Sequence, residues 1–237
     1  MADYNTASAS TALPAAADAQ RVTAFLRKVY GWMCAGLGVT AFVAFSVVGS
    51  PAIVRAIASN QLLFFGLFAA ELGLVFYLSA RAPKLAPGAA AGLFVLYSAL
   101  NGVTLSLVLL MYTGASVATT FVVTAGMFGA LALFGSTTTR SLAGAGHFFF
   151  MGLVGLLLAS VAGMFWHSEA LQFLISIIGV IVFTGLTAWD AQRLKQMALA
   201  LPEGQSGSYA VVGALSLYLN FINLFLILLR FSGGRRS

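Results

Sequence analysis

Apolar residues gather in seven stretches, each close to the ~20 helical residues needed to cross a bilayer. They cover residues 29–49, 61–80, 88–111, 116–135, 147–166, 171–192 and 209–231. The breaks between them are short, and none is long enough to fold as a separate soluble domain. Prolines 14, 51, 83, 87 and 202 all lie outside the apolar cores or at their edges, where helix ends tolerate them. The pattern predicts an all-α polytopic membrane protein of seven transmembrane helices. Residues 1–22 read as a flexible N-terminal tail and residues 23–237 as one transmembrane domain.

Polar residues interrupt these stretches in narrow stripes. In the seventh, Ser216, Asn220, Asn223 and Arg230 follow one another at offsets of four, three and seven, one face of a helix. Lipid offers such groups no hydrogen bond, so the stripe has to face protein or water. Tyr97, Asn101 and Thr104 make a similar stripe in the third stretch, and Thr184, Thr187 and Asp190 one in the sixth. Tyr77 and Arg81 end the second. Together they predict a polar interior with the last helix central in the bundle.

Glu71 is the sharpest anomaly, because it sits mid-stretch in the second apolar run. An ionised carboxylate at that depth costs ~2.5–3.5 kcal/mol on insertion scales. Two readings stay open: a neutral acid hydrogen-bonded to a neighbouring helix, or a proton or cation site. Asp190 also has two. It pairs with Arg193 one turn on, or it meets Asn220 across a helical hairpin. The turn between the last two helices centres near residue 205, and positions 190 and 220 lie equally far from it. If both arms stay helical, they reach the same depth.

Composition agrees with a lipid setting. Of the 237 residues, 60% are hydrophobic and 8% charged, against about 25% charged in a soluble domain. The net charge of +6 sits at the ends of apolar runs, which is the pattern of orientation signals and argues against a nucleic-acid partner. Arg21, Arg27, Lys28, Arg81, Lys84, Arg140, Arg193 and Lys195 fall on one side of the predicted topology. The opposite side has Arg55, with Arg230, Arg235 and Arg236 at the C-terminal end. The N-terminus is therefore expected in the cytoplasm. Seven crossings put the C-terminus outside, whereas a last helix that dips in without crossing would bring its basic end back.

The lone cysteine, Cys34, excludes an intramolecular disulfide and reads as a small buried hydrophobe. Gly31, Gly36, Gly38, Ala69/Gly73 and Ala125/Gly129 are expected at close helix contacts. His147 and His167 lie at opposite ends of the fifth stretch, too far apart to share a metal, and read as interfacial. The residues form no catalytic constellation, phosphate-binding loop or dedicated metal site. No enzyme activity and no cofactor are expected.

The run Ser216–Arg230 (SLYLNFINLFLILLR) resembles the terminal signature of the Bax inhibitor-1 (YccA-like) family. Ala188–Lys195 (AWDAQRLK) resembles the end of that family's sixth helix, and the Arg27-Lys-Val-Tyr30 entry, Glu71 in the second helix and Ala99–Ser106 (ALNGVTLS) in the third are similar too. The resemblance covers about residues 22–232. It implies seven helices, the last surrounded by six, in the bacterial inner membrane. It also implies a pH-gated calcium leak, in which two aspartates on the last two helices share a proton and an arginine latches the closed form.

By position, Asp190 matches the first aspartate and is the candidate calcium contact. Arg81 matches the latch, and Glu71 and Arg230 match further polar positions of the core. Asn220 stands where the second aspartate would be. An Asp–Asn pair has one titrating group, so the coupled two-carboxylate switch is absent. Gating is then expected to weaken or to pass to Glu71. The resulting expectation is cation homeostasis or stress response, with Asp190, Asn220, Glu71, Arg81 and Arg230 along the ion pathway. Asn223, Ser216, Asn101 and Tyr97 complete the polar core. The resemblance equally allows a transport-inactive protein that modulates a membrane-anchored protease, and the seams also read as plain helix–helix glue.

Overall fold

A computed structural model describes residues 4–81, 84–165, 168–202 and 206–234, with side chains from residue 17 onward except that of residue 164. Its helices are α1 (Tyr4–Val48), α2 (Pro51–Ser59), α3 (Gln61–Arg81), α4 (Pro87–Leu109), α5 (Gly114–Thr137), α6 (Ala143–Phe165), α7 (Glu169–Ala200) and α8 (Ser206–Ser232). Seven are long and apolar enough to span a membrane. The exception, α2, is a 9-residue piece between the first two spans. Sequence reading missed it because it is too short to register as a crossing.

Helix ends follow local chemistry. Pro51 and Pro87 open α2 and α4, where a missing N–H costs nothing. Thr113 and Ser168 accept from the backbone N–H groups of Ser116 and Leu171, capping α5 and α7. Two helices outrun their predicted bounds. Helical backbone in α1 begins at Tyr4, upstream of the tail boundary expected at residue 22 and through Pro14, with its apolar span at Ala17–Val48. Beyond the predicted end at 192, α7 continues to Ala200.

The last helix is the centre of the bundle. Tyr218, Leu215, Leu217, Leu224 and Leu229 of α8 are almost wholly enclosed. Helices α1, α4, α5 and α7 pack on it, α3 touches it more lightly, and α6 packs chiefly on α7. Around this core the outer surface is apolar: Phe42, Leu62 and Phe165 are more than 70% exposed. In water such a surface would aggregate; in a bilayer it is the solvent-facing side.

Glycine decides where backbones meet, though at different positions from those expected. A Cβ on Gly102 would lie 2.7 Å from the Thr40 carbonyl oxygen, which brings α1 and α4 together. One on Gly135 would overlap the Ala188 backbone, so α5 and α7 touch there. Of the glycines expected to pack closely, Gly36 does so, against the Phe94 ring. Gly31, Gly38, Gly73 and Gly129 border open space. Small-residue spacing marks a contact only on a face that meets another helix, and those four do not. Cys34 is likewise exposed, on the outer side of α1, and not in the core.

Candidate functional site: an acid-lined cavity beside the last helix

On α3 the buried residues are Glu71 and Leu78, seven positions apart on one face. Most of its other side chains are apolar and exposed, so α3 brings an acid inward and shows hydrocarbon to the lipid. Glu71 Oε1 accepts a hydrogen bond from the Thr104 hydroxyl of α4. Asn101 lies one turn before Thr104 on the same face of α4.

Asn101 continues into a buried network. The Tyr218 hydroxyl of α8 donates to Asn101 Oδ1 at 3.0 Å and meets the Thr40 hydroxyl of α1 at 2.6 Å. Thr40 in turn lies 2.8 Å from the Ser98 carbonyl oxygen of α4, to which it donates. Phe94 and Tyr97 pack edge-on against the Tyr218 ring, each with centroids 5.7 Å away. Three helices, α1, α4 and α8, thus meet at one tyrosine. Nothing in the polar stripes pointed to Tyr218 or Thr40. Tyr218 is two residues from Asn220 and so off its face, and it reads as one more aromatic in an apolar run.

The hairpin of α7 and α8 places Asp190 and Asn220 together. Asn220 Nδ2 donates to Asp190 Oδ2 at 2.8 Å, and Ser216 Oγ donates to the same oxygen at 2.6 Å. Both residues are buried, each with 6% of its surface exposed. Asp190 Oδ1 accepts no hydrogen bond among the described residues. No fully enclosed polar side-chain atom there lacks a partner, so Oδ1 must face open space.

That space is a cavity of about 560 Å³ between α3, α4, α6, α7 and α8. Glu71, Tyr97, Asn101, Asp190, Ser216, Asn220 and Asn223 all line it. The two acids therefore share one chamber. The wall is otherwise mostly Leu, Phe and Val, in keeping with a ligand or ion chamber that has few, well-placed polar groups.

The two arginines expected in the polar core are elsewhere. Arg81 is exposed at the end of α3, its guanidinium 5.9 Å from the Tyr77 ring centroid. Arg230 is exposed in the last turn of α8. Long cationic side chains at helix ends reach out toward the interface, and these two do so. The cation at the cavity is Arg193, which lies over Trp189 at 5.5 Å. It is not a direct hydrogen-bond partner of Asp190. Thr184 and Thr187 return their hydroxyls to carbonyls of their own helix. His147 is exposed near the start of α6, and His167 lies outside the described residues.

The Ala188–Lys195 stretch carries two further tasks. Gln192 clamps the α5–α6 linker, accepting from Leu142 N at 2.7 Å and donating to the Arg140 carbonyl at 2.8 Å. Lys195 Nζ donates to the Ser136 carbonyl at 2.9 Å, a cation at the C-terminal end of α5. One turn of α7 thereby points an acid into the cavity while fixing the neighbouring helix pair.

These features define a polytopic membrane protein built around a buried, acid-bearing central hairpin. Its sequence relationships agree. Residues 22–237 match the family model described as "Inhibitor of apoptosis-promoting Bax1", and the chain belongs to the Bax inhibitor-1 family. The inner membrane protein YbhL of Escherichia coli (strain K12) is 50% identical over 215 residues, 90% of this chain and 92% of that one. An uncharacterised Caulobacter vibrioides protein is 41% identical over 254 aligned positions, covering both chains completely. An uncharacterised membrane protein of Streptococcus pyogenes serotype M1 is 37% identical over 212 residues, 88% of this chain and 92% of that one.

Proposed function

We propose that this protein is a passive cation pathway of the bacterial inner membrane, with Ca²⁺ as the ion carried. The observation that supports this reading is the shared chamber, in which Glu71 and Asp190 stand with Asn101, Asn220 and Asn223 around one space at the central helix. Calcium takes carboxylate and amide-carbonyl oxygens in flexible sets. Among the described residues Asp190 Oδ1 accepts from no donor, and Asn220 commits its nitrogen to Asp190 and leaves its carbonyl for an ion. The arginine latch is not part of this proposal, because Arg81 is exposed and away from the chamber. The excess of Lys and Arg on one side of the topology supports an N-terminus in the cytoplasm. The transport involves no chemical step, no enzyme activity and no bound cofactor. Modulation of a membrane-anchored protease rests on family resemblance alone.

Purified protein in calcium-dye-loaded vesicles tests the proposal. A dye signal above protein-free vesicles is expected, and no flux at any pH contradicts it. Asn220→Asp restores a second carboxylate against Asp190, and two adjacent acids titrate as a coupled unit. The variant is expected to give a steeper pH response than the wild type. An unchanged pH profile would remove position 220 from the gating argument.

A further inference from the structure

The chamber has an apolar rim between α3 and α6, midway along both helices. Phe68 and Leu72 of α3 and Phe150 and Leu157 of α6 all line it, yet each is between 47% and 59% exposed. A residue that borders a cavity and also shows half its surface outside stands at the cavity's mouth. All four lie in the middle of their helices, far from the ends that meet water. The two helices are anchored on different neighbours, α3 on α4 and α6 on α7, which leaves the gap between them. Behind this apolar mouth stand Glu71 and Asp190, each about 94% buried by the 6% exposure it retains. Asp190 lines the space, and its Oδ1 accepts no hydrogen bond among the described residues. The ionisable lining holds two acids against one base, Arg193.

From this arrangement we infer that the cavity is a binding site for an amphiphilic amine: a single hydrocarbon chain bearing an ammonium head, admitted from the bilayer between α3 and α6. The head lies between the two carboxylates, where it supplies the donors that Asp190 Oδ1 lacks. The chain lies along Phe68, Leu72, Phe150 and Leu157 and extends into lipid. Apart from its few polar groups, the wall is apolar, and so is the mouth. An alkylammonium matches both, because it reaches the site through the phase in which its tail is soluble. The volume of about 560 Å³ falls within the range of pockets for small organic ligands, about 300–1,000 Å³.

The inference uses the chamber of the cation proposal and is tested separately from it. Tritiated dodecylamine is bound to the full-length protein in nanodiscs, with protein-free nanodiscs subtracted. Saturable binding near one per chain is expected, with butylamine at least tenfold weaker. Dodecanol and dodecanoate should fail to compete at tenfold excess. Glu71→Gln and Asp190→Asn should each weaken binding at least tenfold. Leu72→Trp with Leu157→Trp, changed on the lipid-facing rim where folding is least sensitive, should slow association at least tenfold. Binding that is no greater than in empty nanodiscs, that dodecanol displaces equally well, or that neither folded acid variant nor the rim variant alters would overturn the inference. Amine binding without calcium flux leaves it standing alone, and calcium flux without amine binding overturns it alone.

Discussion

Gly135→Leu is expected to destabilise the folded bundle severely. In the structure a single Cβ at that position already collides with the Ala188 backbone of α7. Backbone cannot turn aside as a side-chain tip can, so α5 would have to lift off α7. Overpacking of ordinary cores costs about 1–3 kcal/mol, and a clash with main chain belongs at or above the top of that range. Against a total stability of about 5–15 kcal/mol, the variant should lose its monodisperse peak after detergent extraction. Gly129→Leu on the same helix is the control, because Gly129 borders open space. Its thermal midpoint should stay within the change that about 0.5 kcal/mol produces. Equal behaviour of the two variants would show that the α5–α7 contact is misplaced.

The second large effect is on transport. Glu71→Gln combined with Asp190→Asn should reduce calcium flux at least tenfold in dye-loaded vesicles. The sign follows from the charges at the chamber. The wild-type lining opposes two acids to Arg193, whereas the double variant leaves Arg193 as the one charged lining residue. A cation entering that space is then repelled. Both replacements keep shape and hydrogen-bonding capacity, so Ser216 and Asn220 retain a partner at position 190. Undiminished flux in a folded double variant would place the ion route elsewhere.

Much of this architecture was legible in the residue pattern, for identifiable reasons. Bilayer thickness sets helix length, so seven apolar runs gave seven spans; only the short α2 escaped. The meeting of Asp190 with Asn220 followed from counting outward from one turn, since two helical arms of equal length return to equal depth. Glu71 and the Tyr97–Asn101–Thr104 stripe had to face inward because lipid offers them no partner. Direction failed where the side chain is long. Both the polar stripes and the resemblance put Arg81 and Arg230 in the core, but flexible stems at helix ends let their guanidinium groups reach outward. Glycine positions were also beyond reach, because Gly102 and Gly135 look like Gly73 and Gly129 until it is known which faces meet. Tyr218 stayed hidden for the same reason: its hydroxyl links α1, α4 and α8, yet its neighbours in sequence are all apolar.

The account rests on α7 and α8 bonding to each other through polar side chains inside the bundle. A double-mutant cycle on Asp190 and Asn220, read as unfolding free energy in detergent, tests this most directly. Hydrogen bonds between membrane helices couple by about 0.6 kcal/mol on average and up to about 1.7. This pair is buried and joins an amide to a carboxylate at 2.8 Å, so a coupling of about 1 kcal/mol or more is expected. Additivity within about 0.3 kcal/mol would mean that the two side chains do not meet, and would contradict the cavity built around them.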